Sequence, residues 1–353
     1  MKTVISFIFV LAARLPESSE RPASRVRPRR GGYPLSPRSL IFRCRTGPRG
    51  PAIGVAVLTS FTLAAVVGCS TAPAASVSAG TGRQVEVVAA ENFWGSIARQ
   101  IGGSHARVVS IITNPDTDPH SYEPTAGDAR TIAGAQFVIE NGVGYDPWVP
   151  KLLAADQQNP ATLDVGTLLG VPAGGNPHRW YNPADVQRVV SQMVADYQQL
   201  DPADSAYFAR QRTRFNAVAL KQYNAAIAAI KAKYSGTPVG GSESIFAMLA
   251  PALGLNLMTP QAFLKAISEG TDVSAADKQA IDNQIKNHQI KIYVYNSQNV
   301  TPDVQAQLAE VKAEHIPYAT ITETLVPGSA TYQAWQTRQL RGIEAALAQA
   351  AGH

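Results

Sequence analysis

From Gln84 onward, short apolar runs alternate along the chain with stretches in which apolar residues recur at helical spacing. The first run, residues 85–90, leads into a helical pattern at residues 93–101, and the run at 137–141 leads into another at 146–155. Further runs of the strand type are residues 108–112, 292–295 and 318–322. Strands separated by helices of about 10–15 residues form βαβ units with parallel pairing. The pattern therefore predicts an α/β protein with mainly parallel sheets.

One helical run, residues 202–234, is longer than the others and separates the two groups of predicted strands. Asp201 is a candidate N-cap, Pro202 suits the first helical position, and Gly236 is a typical end signal. At 1.5 Å per residue the run would be about 50 Å long. Its bulky residues recur at steps near 3.6 and are Phe208, Phe215, Leu220, Tyr223, Ile227, Ile230 and Tyr234.

An ordinary core helix would explain the apolar stripe of this run, whereas a helix joining two lobes would also explain its length and position. The predicted organisation has an N-terminal α/β lobe at residues 84–200, a long linking helix at 201–235 and a C-terminal α/β lobe at 236–353. Residues 1–68 are predicted to be a leader, and residues 69–83, small and polar without periodicity, a flexible tether.

The charge of the chain divides sharply between the leader and the rest. Residues 1–69 hold 11 Lys and Arg against 2 Asp and Glu, whereas the remainder holds 20 against 24. The basic character of the whole chain thus belongs to the leader. A mildly acidic folded part gives little electrostatic attraction for nucleic acid, and such a partner is not expected.

The leader has the features of a secretory signal. Residues 52–67 are nearly free of charge and follow three arginines, and the stretch Val66-Val67-Gly68-Cys69 at their end resembles a bacterial lipobox. Acylation of Cys69 would make it the new N-terminus and a lipid anchor. An uncleaved membrane anchor is the alternative, but the apolar segment is shorter than the roughly 20 residues that span a bilayer. Cys44 and Cys69 are the only cysteines, so no thiolate metal site is possible after residue 69.

Four candidate binding residues follow predicted strands or precede predicted helices: His120, His178, Glu243 and Glu323. Ligands of open α/β sheets bind beyond the carboxyl ends of the strands. Taken singly, each residue has a plainer explanation: a solvated histidine, a carboxylate in the first turn of a helix, or a solvated charge. Taken together, two imidazoles and two carboxylates suit a divalent metal ion. Their spacing along the chain matches no short metal-binding signature.

Several longer motifs resemble one known family, the metal-specific solute-binding lipoproteins of zinc and manganese ABC transporters. The motifs are Asp-Pro-His-Ser-Tyr-Glu-Pro at 118–124, Asn-Gly-Val-Gly-Tyr-Asp-Pro-Trp at 141–148, Asn-Pro-His-Arg-Trp-Tyr at 176–181 and Thr-Glu-Thr-Leu-Val-Pro-Gly at 322–328. The resemblance extends from about residue 85 to 350. It implies two (βα) lobes joined by one long rigid helix, with one metal ion in the cleft between them.

The same resemblance implies a ligand set. The first and second family histidines match His120 and His178, and the third ligand, which is His or Glu among members, matches Glu243. The fourth ligand is usually Asp, and the matching residue here is Glu323, which is one methylene longer. Residues 156–177 lack the histidine-rich loop of many zinc-specific members. The metal therefore stays open between zinc, manganese and iron.

The resemblance further implies a monomeric binding protein that is lipid-anchored to the outer face of the cytoplasmic membrane. It would capture a divalent metal ion outside the cell and deliver it to an ABC permease with its ATPase, transforming nothing chemically. A zinc-dependent hydrolase is the main alternative, although four protein ligands would leave no open position for an activated water. A surface adhesin is the third possibility, which a lipid-anchored location permits.

Overall fold

The computed structural model describes residues 84–352, and they contain two four-stranded parallel sheets. The leader, the tether and Cys69 lie outside the described residues. Within the described part of the chain, none of the helices is long and apolar enough to cross a membrane.

The first sheet has the strand order β2-β1-β3-β4, with every neighbouring pair parallel. Its strands are β1 (Val85–Glu91), β2 (Ala106–Ile112), β3 (Phe137–Glu140) and β4 (Ala161–Asp164). The helices of this half are α1 (Asn92–Gly102), α2 (Ala126–Ala133), α3 (Val149–Ala155), α4 (Val165–Leu169) and α5 (Pro183–Leu200). The sequence patterns predicted β1, β2, β3 and α1 to within a few residues.

The helix predicted at 146–155 begins later, at Val149. The Asp146 carboxylate instead accepts the backbone N–H groups of Asn141 and Gly142, at 2.7 and 2.8 Å. Asp146 therefore closes a tight loop at the end of β3, and this loop reaches the binding cleft.

The long helical run is present but is not one uniform α-helix. A 3-10 turn (Pro202–Asp204) leads into α6 (Ser205–Arg214), a π-helical turn (Phe215–Ala219) and α7 (Lys221–Tyr234). The Leu220 N–H donates to the Phe215 carbonyl, five residues back, at 2.9 Å. The extra residue in this turn keeps Phe215 and Leu220 on the same buried side, although they are five positions apart.

The second sheet has the order β6-β5-β7-β8 and is also parallel throughout. Its strands are β5 (Pro238–Gly241), β6 (Asn256–Leu257), β7 (Ile292–Asn296) and β8 (Tyr318–Ile321). Its helices are α8 (Ser244–Leu249), α9 (Gln261–Ser268), α10 (Ala275–Lys286), α11 (Pro302–Ala313) and α12 (Tyr332–Ala350). The predicted fold class, two α/β lobes with parallel sheets, is confirmed.

The largest hydrophobic cluster of the described residues extends through both lobes, and each lobe has a smaller cluster of its own. Phe137 and Ile139 of the first sheet belong to the same buried cluster as Val239 and Ile292 of the second. Residues of both sheets are thus buried against one another in the largest cluster.

Polar contacts between α1 and the segment that leads into α12 reinforce this arrangement. The backbone N–H of Leu325 donates to the Asn92 side chain at 3.1 Å, and that of Tyr332 donates to the Ser96 hydroxyl at 2.9 Å. These bonds link the C-terminal lobe directly to the first helix of the N-terminal lobe.

Candidate metal site

Three of the four candidate residues meet at the cleft between the lobes. His178, Glu243 and Glu323 each offer a ligand atom, and these atoms all lie within 4.8 Å of one another. His120 is not part of that cluster but lines the same cavity of about 670 Å³, together with Glu323. The His120 ring stands edge-on to the Tyr145 ring, with 4.8 Å between centroids. The structure thus brings the four residues to one cleft, with His120 on its more open side.

The ring of His178 is fully buried and oriented by its neighbours. The Asn176 side-chain oxygen lies 2.9 Å from Nδ1, which assigns the proton to Nδ1 because an amide oxygen can only accept. This leaves the lone pair of Nε2 facing the Glu243 carboxylate, 3.6 Å away. Among the described residues, Nε2 has no hydrogen-bond partner. Burial, followed by the nearby His120, lowers the pKa of His178 to about 3, so the ring is neutral.

Glu243 follows β5 and stands just before α8, in extended backbone. Its side chain does not cap the helix but points into the protein, where it is buried and accepts a hydrogen bond from the Asn296 amide at 2.8 Å. The preceding strand needs glycine at position 240, because a Cβ there would lie 2.7 Å from Ile290 and 2.9 Å from Tyr293. The turn into Glu243 therefore packs tightly against the sheet.

Glu323 follows β8 and faces the cleft rather than bulk solvent. Tyr145 donates its hydroxyl to Glu323 Oε2 at 3.0 Å, and Asn296 donates to Oε1 at 2.7 Å. The backbone N–H of Glu323 donates to the Gln298 side chain at 2.7 Å, which holds the loop after β8. Glu323 is therefore not the solvated charge that its sequence position alone would suggest.

The two carboxylates influence each other's protonation. Burial, followed by the charge of Glu323, raises the pKa of Glu243 well above its usual value. Burial likewise raises the pKa of Glu323, against the hydrogen bond from Tyr145. Two carboxyl groups this close share a proton when no cation balances them. A divalent cation would take the place of that proton.

Sequence reasoning did not single out two residues that hold this site. Asn296 is the last residue of β7 and bonds both carboxylates, and Tyr145 bonds Glu323 from the opposite lobe. Each carried a usable signal: Asn296 follows a predicted strand directly, and Tyr145 lies in the quoted motif at 141–148. A buried amide at a strand end is nevertheless easily mistaken for a cap.

Other residues that the sequence draws attention to lie outside the cluster. Trp180 is fully buried as part of the core, and the Tyr122 hydroxyl donates to Asp128, whose carboxylate closes the first turn of α2. His105 is partly buried, with Nδ1 2.8 Å from an Asp204 oxygen. This contact ties the end of α1 to the start of the long helical run.

A second group of acidic side chains is buried in the N-terminal lobe. Glu91, Glu140 and Asp146 lie at the ends of β1 and β3. Burial and the charges of Asp146 and Asp164 raise the pKa of Glu140 to about 8, and burial raises that of Asp146 to about 6. Burial and Asp146 raise the pKa of Glu91 well above its usual value.

The described residues thus form two parallel-sheet lobes, joined by the long helical run, with a polar cleft between them. A family model described as "Zinc-uptake complex component A periplasmic" matches residues 87–346, and the chain belongs to this family. The resemblance drawn from the sequence motifs, to the metal-specific solute-binding proteins, is thereby confirmed.

Named relatives share modest sequence identity with this chain. The zinc-binding lipoprotein AdcA of Streptococcus pneumoniae is 23% identical over 273 residues, covering 70% of this chain and 52% of that protein. The manganese-binding lipoprotein MntA of Halalkalibacterium halodurans is 26% identical over 129 residues, covering 34% and 41%. The chain spans about half the length of the curated relatives it matches.

Solved structures share the fold at low identity. The solute-binding protein FpvC of Pseudomonas aeruginosa in complex with Ni2+ aligns with a TM-score of 0.62 at 20% identity, covering 76% of this chain and 98% of that chain. The Mn-bound periplasmic metal binding protein of Candidatus Liberibacter asiaticus aligns with a TM-score of 0.62 at 17% identity, covering 75% and 100%. At these identities the likeness concerns the fold.

Proposed function

We propose that this protein is the substrate-binding lipoprotein of an ABC importer that captures a divalent transition metal ion, zinc or manganese, outside the cell membrane and delivers it to the permease. His120, His178, Glu243 and Glu323 would be the metal ligands. Iron remains a third candidate, since one relative is named an iron-binding protein. The lobe boundaries at residues 84–200, 201–235 and 236–353 are part of this proposal.

The observation that carries the proposal is the state of His178. Its ring is neutral, its Nδ1 is engaged by Asn176, and its free Nε2 faces a buried pair of carboxylates. A buried acceptor without a hydrogen-bond donor costs free energy of folding, and a protein that binds an uncharged solute would gain nothing from that cost. Such an acceptor is what a divalent cation needs, because metal-bound histidine commonly has its other nitrogen fixed by a hydrogen bond.

The charge of the site fits a cation for a second reason. Two ionised carboxylates balance a 2+ charge, which would otherwise be expensive to remove from water. On binding, the shared proton leaves Glu243 and Glu323, and the ion takes its place. His120 and His178 come from the N-terminal lobe and Glu243 and Glu323 from the C-terminal lobe, so the proposed ligand set needs both lobes.

Delivery to a permease and attachment to the membrane are inferred from the relatives. Two of them are named lipoproteins, and the family is named as a component of zinc uptake. Acylation at Cys69 would hold the protein at the outer face of the cytoplasmic membrane, where it would meet the permease and its ATPase as a monomer.

The rival functions make different predictions. A zinc-dependent hydrolase would need an open metal position and a general base, and it would cleave ester or peptide substrates when loaded with zinc. An adhesin would bind a host surface whether or not metal is present. A binding protein does neither, so zinc-loaded protein that hydrolyses chromogenic esters would favour the first alternative.

The direct test is titration of Zn2+ and Mn2+ into metal-free protein by competition with a chromogenic chelator. Wild-type protein is expected to bind one ion. His120→Ala and His178→Ala should each lower affinity by about 10–100-fold or more, since even groups behind the ligands have effects of that size. His288→Ala is the matched control, because His288 is exposed and is not among the residues that line the cleft. Unchanged stoichiometric binding in both cleft variants would remove these histidines from the site.

A further inference from the structure

Asn296 lies between the two carboxylates of the cleft and bonds to both. It is the last residue of β7, the strand that lies between β5 and β8 in the second sheet. Glu243 follows β5 and Glu323 follows β8, so the carboxyl ends of three adjacent parallel strands bring these side chains together. Asn296 is fully buried at the centre of that group.

Every polar atom of the Asn296 side chain has a fixed partner. Its Oδ1 accepts the backbone N–H of Gln298 at 3.0 Å, so the amide nitrogen must point toward the cleft. That nitrogen donates to Glu243 Oε2 at 2.8 Å and to Glu323 Oε1 at 2.7 Å. One amide therefore holds one oxygen of each carboxylate.

This arrangement divides the carboxylate oxygens into two kinds. Glu243 Oε2 is turned to Asn296, whereas Glu243 Oε1 faces His178 Nε2 at 3.6 Å. For both oxygens of Glu243 to chelate one ion, the carboxylate would have to turn away from the amide. A buried N–H would then lose its acceptor, which is unfavourable. Glu323 is held on both oxygens, Oε1 by the Asn296 amide and Oε2 by the Tyr145 hydroxyl at 3.0 Å, so an ion would meet a remaining lone pair of Oε2.

We propose that Asn296 is a positioning residue that ties down one oxygen of each carboxylate, leaves Glu243 Oε1 as the oxygen that faces His178, and so determines which metals the cleft prefers. This inference rests on the proposed function of the same cleft in metal binding. Two imidazole nitrogens, Glu243 Oε1 and Glu323 Oε2, which also accepts the Tyr145 hydroxyl, make four ligand atoms. Zinc is satisfied by four ligands in a tetrahedron, whereas manganese takes six, mostly oxygens. Asn296 thus favours zinc over manganese.

The test compares metal preference rather than affinity alone. Zn2+ and Mn2+ affinities are measured by chelator competition for the full wild-type chain and for Asn296→Leu, which keeps a similar volume but removes both donors. The ratio of the manganese to the zinc dissociation constant is expected to fall by about tenfold or more, the lower end of effects seen behind metal ligands. X-ray absorption of bound Mn2+ should also show more oxygen neighbours in the variant.

Gln307→Leu is the matched control for disturbance of the lobe. Gln307 is a buried amide of the same lobe that accepts a hydrogen bond from Tyr293 and has no contact with either carboxylate. Its replacement is expected to leave the metal ratio unchanged. If Asn296→Leu fails to fold by circular dichroism, Asn296→Ser, which keeps a hydroxyl donor of shorter reach, is measured instead and should show a smaller shift in the same direction.

The outcomes separate this inference from the proposed function. Wild-type protein that binds neither metal would defeat the proposed function itself. Wild-type binding with equal losses for both metals in Asn296→Leu would show that the amide only supports the structure, and the proposal would be wrong. An unchanged ratio and unchanged affinities would also overturn it.

Discussion

Metal binding by this cleft should release a proton, and the proton should come from the two carboxyl groups rather than from His178. The pKa of His178 is about 3, so that ring carries no proton to lose near neutral pH. The pKa of Glu243 lies well above its usual value because of burial and the charge of Glu323. The metal-free site therefore holds a proton that the metal-bound site does not.

The magnitude follows from this difference of one proton. While Glu243 holds its proton in the metal-free state, each pH unit lost should weaken metal binding about tenfold, which is roughly 1.4 kcal/mol. Affinity is therefore expected to rise with pH and to level off above the pKa of Glu243. An ordinary imidazole would give a similar trend only below its unperturbed pKa, about 6.5.

Calorimetry can count this proton. Zn2+ is titrated into metal-free protein at one pH, near 6, in two buffers of different ionisation enthalpy, and the heats give the number of protons released per ion. Glu243→Gln is the partner variant, because its amide cannot carry the shared proton. We expect it to release about one proton fewer than wild type, a difference in which any contribution of the imidazoles cancels. Equal proton release by the two proteins would refute the reasoning.

Three further predictions concern other parts of the chain. Glu323→Gln should weaken metal binding more than Glu323→Asp, which keeps the charge but withdraws it by about 1.5 Å, against a tolerance of ~0.2 Å for metal–ligand distances; equal calorimetric affinities in all three proteins would strike Glu323 from the site. Because the pKa of Glu140 is raised to about 8, the wild-type protein should lose stability as pH rises from about 4.5 to 8, by on the order of 1.4 kcal/mol per pH unit. In urea unfolding, Glu140→Gln should therefore raise the free energy of unfolding by a few kcal/mol at pH 8 but not at pH 4. Cys69→Ala should abolish acylation, and mass spectrometry finding an unmodified native Cys69 would contradict that.

Much of the fold could be predicted because its signals are local. The apolar runs that became β1, β3 and β7 are short, continuous and buried, as strands of parallel sheets are. β4 and β6 gave no such signal, since β4 is partly exposed and β6 has only two residues. The long helical run was predicted from its spacing, but its π turn was not.

The sequence nevertheless contains a signal for that π turn. Phe215 and Leu220 are five positions apart, a step that an α-helix cannot keep on one side but a π turn can. Both are buried, and the turn falls between them. An irregular step in an otherwise regular stripe is thus a local signal for an irregular helix.

The binding cleft was predictable only in part, because its contacts join distant segments. Motif resemblance pointed to His178, Glu243 and Glu323, and the structure gathers them. The roles of Asn296 and Tyr145 depend on which strands are neighbours and how the lobes face each other, which spacing along the chain does not encode. Residues that hold ligands in place are therefore harder to read from one sequence than the candidate ligands themselves.

The hydrophobic core that runs through both lobes has a consequence for cooperativity. A domain in the usual sense owns a core and can fold alone. Here Phe137 and Ile292, from different sheets, are buried in one cluster, and Leu325 and Asn92 tie the lobes by a hydrogen bond. Neither half, expressed by itself, should keep its native packing, and residues 84–352 should melt in a single calorimetric transition. In thermodynamic terms, the two lobes form one folding unit.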